Sequence, residues 1–361
     1  MKRFVRCLLL SLVVVAVASA CQKQPPPEPV KPAQPAEPVA PPAPPMPKSD
    51  PSCVGPYAAG TPEVVKIGDT AWELNGATLS LKSDLKGKKL VIGAVTDIKE
   101  DTDENKKNLK LLTDWFKKNN VNLIVVAGDT GENAAQIESS IEILAAAKVP
   151  VVNIIGNREG KTEYRKAMVA LKAKLGNVFD LNQVRRVDTP VADLVSMPGY
   201  FNASYIHSDD GCQYYQADLD ALKEIIKAAD SPVVLVSHGG PKQDGAQALD
   251  RTDAGENRGD PGLAKVMAEM KVPFGIFGNF HEAGGRGTSL AGDVKIDEAV
   301  TVDTLYVNPG PADAVSWQMN DGSTSVGMGA LLTVQDGKAS YQIHRLGAKS
   351  AKITKKPGKG K

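Results

Sequence analysis

Five short runs of Val, Ile, Leu and Phe, each followed at once by a polar cluster, constrain this chain more than any other feature. The runs are Leu90–Val95, Leu123–Ala127, Val151–Ile155, Val233–Val236 and Phe274–Phe277. Nearly unbroken apolar runs of this length fit strands buried on both faces, because a strand with one wet face alternates polar with apolar. Amphipathic stretches lie between them. Leu109, Leu112 and Phe116 fall on one helical face, as do Ile137, Ile141 and Leu144, and Glu163–Lys174 and Leu219–Ala228 carry further helical patterns. Strand–helix alternation predicts a sheet covered by helices. Val178–Met197 and Leu305–Leu346 read as strand only, the second with Asp336-Gly337 as a hairpin turn. A two-sheet mixed α/β sandwich accommodates both kinds of segment.

Ligands of open α/β sheets gather at the carboxyl ends of strands, so the polar clusters are expected to converge. They read Thr96-Asp97-Ile98-Lys99, Gly128-Asp129-Thr130-Gly131-Glu132, Gly156-Asn157-Arg158-Glu159, Ser237-His238-Gly239-Gly240-Pro241 and Gly278-Asn279-Phe280-His281-Glu282. Asn308-Pro309-Gly310 follows the last apolar run. In this order the series resembles the calcineurin-like metallophosphoesterases, whose motifs are Asp-x-His, Gly-Asp-x-x-Asp/Glu, Gly-Asn-His-Asp/Glu, a lone His after a strand, and Gly-His-x-His. The resemblance covers residues 87–346 and implies the α/β sandwich of that family. It also implies two divalent metals that share the second-motif aspartate, bind phosphate oxygens and activate water. Carried over residue by residue, one metal position would use Asp97, Asp129 and His281. The other would use Asp129, Asn157 and His238. Oxygen and imidazole donors of this kind suit Mn, Fe or Zn.

The departures from the family pattern have a physical direction. Lys99 stands where the first motif has His, Arg158 where the third has His, and Asn279 where the fifth has its first His. Of the chain's 4 histidines only His238 and His281 stay in register, and His207 and His344 read as ordinary surface or core residues. A protonated lysine has no lone pair for a metal and repels a cation. The position nearest Lys99 is therefore expected to be empty, with the ammonium neutralising Asp97 and Asp129. The other position is less altered, since Asn279 can offer a carbonyl oxygen beside Asp129, Asn157 and His238. Arg158 is permanently charged and a poor proton donor. It can still grip a phosphate in bidentate fashion, with Asn157 and Lys99 as further phosphate-binding candidates.

The expected catalytic set is Asp129, Asn157, His238 and Arg158, served by one divalent metal or none. The function that follows is binding of a phosphorylated or anionic ligand with weak or no hydrolysis. An active single-metal phosphoesterase and a non-enzymatic envelope scaffold are the alternatives. Singly, Asp97 and Asp129 could be helix caps and Asn157 a turn residue, but that reading leaves their order after successive strands unexplained.

The ends of the chain speak to location. Lys2, Arg3 and Arg6 precede an apolar stretch from Leu8 to Ala18, too short for a comfortable membrane span. It ends in Ala18-Ser19-Ala20-Cys21, which resembles a lipobox. The resemblance implies that residues 1–20 are a signal peptide and that Cys21 carries lipid; a plain secretory leader is the alternative. Gln22 in place of Asp points to the outer membrane, at its periplasmic face or the cell surface. Residues 21–52 then form the lipidated cysteine and a Pro-rich tether, reaching at most about 90 Å at ~3.1 Å per residue. Residues 53–86 read as an N-terminal extension with a hairpin about Asn75-Gly76. Residues 347–361 are a Lys-rich tail, expected to be solvated and disordered.

Cysteine and charge complete the reading. Cys7 leaves with the signal and Cys21 takes lipid, so Cys53 and Cys212 remain in an oxidising compartment. A disulfide between them is expected, with two free thiols as the alternative. A formal charge of +1 gives no sign of the basic face a nucleic-acid binder needs. The expected partners are the membrane, through the lipid, and an anionic ligand. Residues 242–260 are polar and glycine-rich, and read equally as a lid or a passive insertion.

Overall fold

The computed structural model describes residues 47–347. Residues 1–46, on which the expected signal peptide, lipidated Cys21 and most of the expected tether fall, and residues 348–361 of the expected Lys-rich tail lie outside the described residues. In chain order come β1 (Glu63–Ile67), β2 (Thr70–Asn75), β3 (Thr78–Leu81), β4 (Lys89–Val95), α1 (Asp103–Lys118), β5 (Leu123–Val126), α2 (Ala134–Ala145) and β6 (Val151–Asn153). There follow α3 (Lys161–Leu175), β7 (Val178–Asp180), β8 (Arg186–Asp188), β9 (Asp193–Met197), α4 (Gln216–Lys227), β10 (Val233–Ser237), α5 (Pro261–Glu269) and β11 (Phe274–Phe277). The last are β12 (Arg286–Thr288), β13 (Lys295–Ile296), β14 (Leu305–Asn308), β15 (Trp317–Gln318), β16 (Thr324–Ser325), β17 (Met328–Gln335) and β18 (Lys338–Arg345).

These strands build two large sheets. The six-stranded sheet runs β18-β17-β4-β5-β6-β7, and the ten-stranded one β1-β2-β3-β8-β9-β10-β11-β14-β12-β13. Each has a parallel centre: β4, β5, β6 and β7 in one, β9, β10, β11 and β14 in the other. The side-chain period of two explains why the apolar runs are unbroken. Leu90, Ile92 and Ala94 of β4 enter a core shared with Leu194, Val234 and Ile276 of the other sheet. Val91 and Val95 instead join a cluster with Leu109, Leu112 and Phe116 of α1. Both faces are dry, and each fully buried Leu, Ile or Phe contributes about 1.5–3 kcal/mol. The architecture is therefore the α/β type with two mixed sheets that the sequence pattern predicts.

Local chemistry sets the element ends. Thr102 caps α1 by accepting from the Asn105 amide, and Asp103 and Glu104 in its first turn face Lys117 and Lys118 in its last, in accord with the helix dipole. Asp336 and Gly337 both take positive φ in the β17–β18 turn, as a two-residue hairpin requires. The Asn75-Gly76 hairpin is also present, and β3 pairs in parallel with β8, so residues 63–81 continue the ten-stranded sheet. Cys53 and Cys212 form a disulfide that fastens the entering chain to the segment after β9. Nearby, the Asp218 carboxylate accepts from both the amide and the hydroxyl of Ser49.

Residues 242–260 are pinned rather than hinged. Gln243, Ala248, Leu249 and Asp250 are buried, and Asp250 accepts from the amides of Gln243 and Gly259. Bridges join Pro241 to Asp260 and Arg251 to Asn257. The passive insertion is the reading this packing supports.

Candidate metal centre

Six strand ends meet at one place. Asp97 follows β4, Asp129 follows β5, Asn157 follows β6, His238 follows β10, Asn279 and His281 follow β11, and Asp313 follows β14. Asp97, Lys99, Asp129 and Asn279 all have positive φ, between 54° and 66°. Non-glycine residues in this region are uncommon and cluster at functional sites, where surrounding contacts hold them. Here they turn the chain sharply off each strand. Gly156 shows how tight the junction is: a β-carbon there would sit 2.3 Å from Asp129 Oδ1.

One half of the centre gathers metal donors. His238 is fully buried; its Nδ1 donates to the Ala127 carbonyl at 2.8 Å. Its Nε2 lies 3.0 Å from Asn157 Oδ1 and 3.2 Å from Asp129 Oδ1. Both ring nitrogens face acceptor oxygens, an arrangement that favours the doubly protonated ring. Burial opposes that charge, but the Asp129 carboxylate outweighs it and raises the imidazole to about 10. Burial likewise works against the Asp129 anion, and His238 holds its carboxyl below the ordinary range. Asn157 is oriented by donating Nδ2 to the Tyr205 carbonyl at 2.7 Å, which turns its oxygen inward. The amides of Asn157 and Arg158 both donate to Asp129 Oδ1. Behind them the buried Glu159 accepts from the amides of Thr130 and Gly156, tying two of the loops together. Burial and the neighbouring Asp129 push that carboxyl up to about 7.

The other half is filled by protein groups. Asp97 Oδ1 lies 2.9 Å from His281 Nε2, while Oδ2 accepts from Thr96 Oγ1 and the Asn279 amide. Burial raises the Asp97 carboxyl, but His281 and then His238 hold it well below the usual carboxylate range. Lys99 is buried, and its Nζ donates to Asp313 Oδ2 at 2.8 Å. It also lies 4.2 Å from the centre of the Trp317 ring, within cation–π range. Trp317 in turn donates Nε1 to Asp313 and packs against His281, ring centres 4.1 Å apart. The sequence places this ammonium against Asp97 and Asp129 and among the phosphate ligands. In the structure its partner is Asp313, because residues 311–313 are drawn to the end of β4 by a bridge to Thr96 and by amides donating to Thr96 and Asp97.

The remaining expectations divide. Asp97, Asp129 and His238 offer ligand atoms within 4.8 Å of one another, and Asn157 joins them. The Asn279 side chain donates Nδ2 to the Tyr200 hydroxyl at 2.9 Å, which fixes its amide and leaves the carbonyl oxygen available as a donor atom. Arg158 sits at the mouth with Nη1 on Glu132 and Nε 3.9 Å from Asp129 Oδ2. His344 stacks on Trp115, away from the centre. Sequence reasoning missed Asp313, Trp317, Tyr200 and Tyr205. The first two follow Asn308-Pro309-Gly310, the only signal that could have pointed to them.

The donor set decides the chemistry. Asp129, Asn157 and His238 fit one divalent cation in place of the Nε2 proton, and such an ion would act there as a Lewis acid toward phosphate oxygen. The Asp97 half fits one poorly, since Lys99 stands in the chain where the family motif has a ligating imidazole and its buried ammonium repels a cation. The family model for calcineurin-like phosphoesterases matches residues 90–283. The chain belongs to the calcineurin-like phosphoesterase family. Among solved structures it is similar to phosphopantetheinyl hydrolase from Mycobacterium tuberculosis, with 16% identity over 62% of this chain and 91% of that one, TM-score 0.42. It is similar to a dimetal phosphatase from Danio rerio, with 11% identity over 71% and 98%, TM-score 0.42. It is also similar to GAP50, the anchor in the inner membrane complex of Plasmodium, with 14% identity over 71% and 84%, TM-score 0.47. No curated protein sequence matches the chain.

A second, partial cluster lies elsewhere in this phosphoesterase domain. Asp188, Asp193 and Asp230 offer carboxylate oxygens within 4.8 Å of one another. Arg186 stands among them, 3.4 Å from Asp193 and 3.6 Å from Asp188, and supplies the positive charge a metal would bring.

Proposed function

We propose that this protein is an envelope lipoprotein whose phosphoesterase domain binds a phosphorylated or anionic ligand at a centre holding at most one metal, with weak or no hydrolysis. The observation that carries the reading is the buried Lys99–Asp313 ion pair, which stands where a two-metal centre needs an imidazole. In-line displacement by a metal pair needs both ions to balance the attacking and leaving oxygens. A fixed ammonium committed to Asp313 does not replace one of them. Arg158, a quarter exposed beside Asp129, is the group placed to receive a phosphate oxygen. The envelope location rests on the lipobox-like residues 18–21 and on the Cys53–Cys212 disulfide, which suits an oxidising compartment.

The test is metal stoichiometry of the full chain after reconstitution with Mn, read by mass spectrometry beside turnover of a phosphomonoester. One ion or none per chain, with the one lost in Asp129→Ala, supports the reading. Two ions, or fast turnover abolished by Asp129→Ala, overturns it.

A further inference from the structure

A wide groove lies away from the metal centre. It measures about 1130 Å³ and runs between α3, the edge strand β7 and the β2–β3 hairpin. Its floor is apolar, built from Met168, Phe179 and Val184. Its rim is cationic: Arg165, Lys166 and Lys172 are exposed and make no ion pair among the described residues. Helical spacing explains the pattern. Arg165 and Val169 are four residues apart and Arg165 and Lys172 seven, so all three share one face of α3. Val169 is 63% exposed between the cations, an apolar residue left bare at the edge of an apolar floor. The acidic groups facing the groove are already engaged. Asp50 pairs with Lys161 at 3.0 Å, and Asp180 accepts from the Tyr164 hydroxyl and the Asn182 amide and feels the Arg165 charge without forming an ion pair with it.

We propose that this groove is a binding site for an anionic amphiphile, an acyl chain lying on the Met168–Phe179–Val184 floor with its acidic headgroup held by Arg165 and Lys172. The two halves of the surface select the occupant together. A bare phosphate gains nothing from the apolar floor, and an uncharged chain gains nothing from three unpaired cations. A molecule with both parts removes apolar surface from water and neutralises the rim at once. The volume slightly exceeds the ~300–1,000 Å³ usual for small-molecule pockets, as an elongated open groove should. No residue of the metal centre takes part, so this site stands or falls apart from the phosphoesterase reading.

The experiment is calorimetric titration of the full chain with dodecyl phosphate below its micelle concentration, beside inorganic phosphate and dodecyl maltoside. Dodecyl phosphate is expected to bind at least tenfold more tightly than either. Arg165→Glu with Lys172→Glu is expected to weaken it at least tenfold, and Val169→Asp severalfold, while Lys338→Glu, an exposed cation on β18 at the opposite edge of the sheet from β7, leaves it unchanged. These rim residues are exposed, so the variants keep the fold, and their thermal melts verify it. Equal affinity for the maltoside or for inorganic phosphate overturns the proposal. So does an affinity indifferent to the rim variants, or one lost equally in Lys338→Glu.

Discussion

The two halves of the metal centre descend from the same arrangement of strand ends but hold positive charge in different ways. Around Asp129 the charge is a proton on His238, shared between a carboxylate and an amide oxygen that could serve a metal equally well. Around Asp97, His281 faces the carboxylate, and the further positive charge in that half is covalently attached: the Lys99 ammonium, seated on Asp313 and covered by Trp317. A proton can be exchanged for a metal ion. A lysine cannot leave. The comparison teaches that a centre can lose half its chemistry through one substitution while keeping its electrostatic balance, provided a partner carboxylate comes with the new cation.

The comparison can be broken most forcefully at Asp129. Asp129→Ala leaves the buried His238 imidazolium without its counter-charge, and is expected to cost about 4 kcal/mol in denaturant unfolding as well as all metal binding. If the variant binds metal as the parent does, the Asp129 half is not the exchangeable one. Next, Asp313→Ala strands the Lys99 ammonium and is expected to cost about 3 kcal/mol, whereas Lys99→Met with Asp313→Leu together should cost under about 1.5 kcal/mol. A double variant no better than Asp313→Ala alone would show that the pair is not what fills this half.

Removing the disulfide sharpens the contrast further. The segment after β9 supplies Tyr205, whose carbonyl orients Asn157, and Tyr200, which holds Asn279; Cys212 is bonded within it. Cys53→Ser with Cys212→Ser is expected to lose about 2–3 kcal/mol of stability and to weaken metal binding at the Asp129 half. Unchanged metal affinity would confine the staple to a purely structural role.

The smallest effect concerns pH, and it must be subtracted before either half is titrated. Burial pushes the Asp180 carboxyl up to about 6 from 3.8. The folded chain therefore keeps a proton that the unfolded chain releases. The associated stability is complete below 3.8 and is lost as pH rises through about 6. Asp180→Asn should remove this slope, gaining about 2 kcal/mol on the parent at pH 7.5 compared with pH 4. Parallel pH profiles of the two proteins would place the slope elsewhere.

Much of this was legible in the sequence. The apolar runs Leu90–Val95 and Leu123–Ala127 announce strands because a residue buried on either face must be apolar whichever way it points. The clusters behind them announce a site because parallel strands expose their carboxyl ends together. The placement of residues 63–81 within the larger sheet was less legible, since a hairpin signal names its own two strands and not the third neighbour. The Asn279 amide was read as offering its oxygen to the metal position, but the partner that holds its nitrogen, Tyr200, lies 79 residues away and carries no motif.

What the sequence by itself determined is the set of strands, the residues at their ends and the loss of ligands at Lys99, Arg158 and Asn279. These follow from periodicity and side-chain chemistry, which are local. Only the tertiary structure decided where the Lys99 charge goes. Asp313 lies 214 residues along the chain, with no motif to mark it, and reaches the ammonium because β14 runs parallel to β11 and ends beside β4. An ion pair of that kind depends on which strand ends the fold brings together, and no spacing along the chain encodes it.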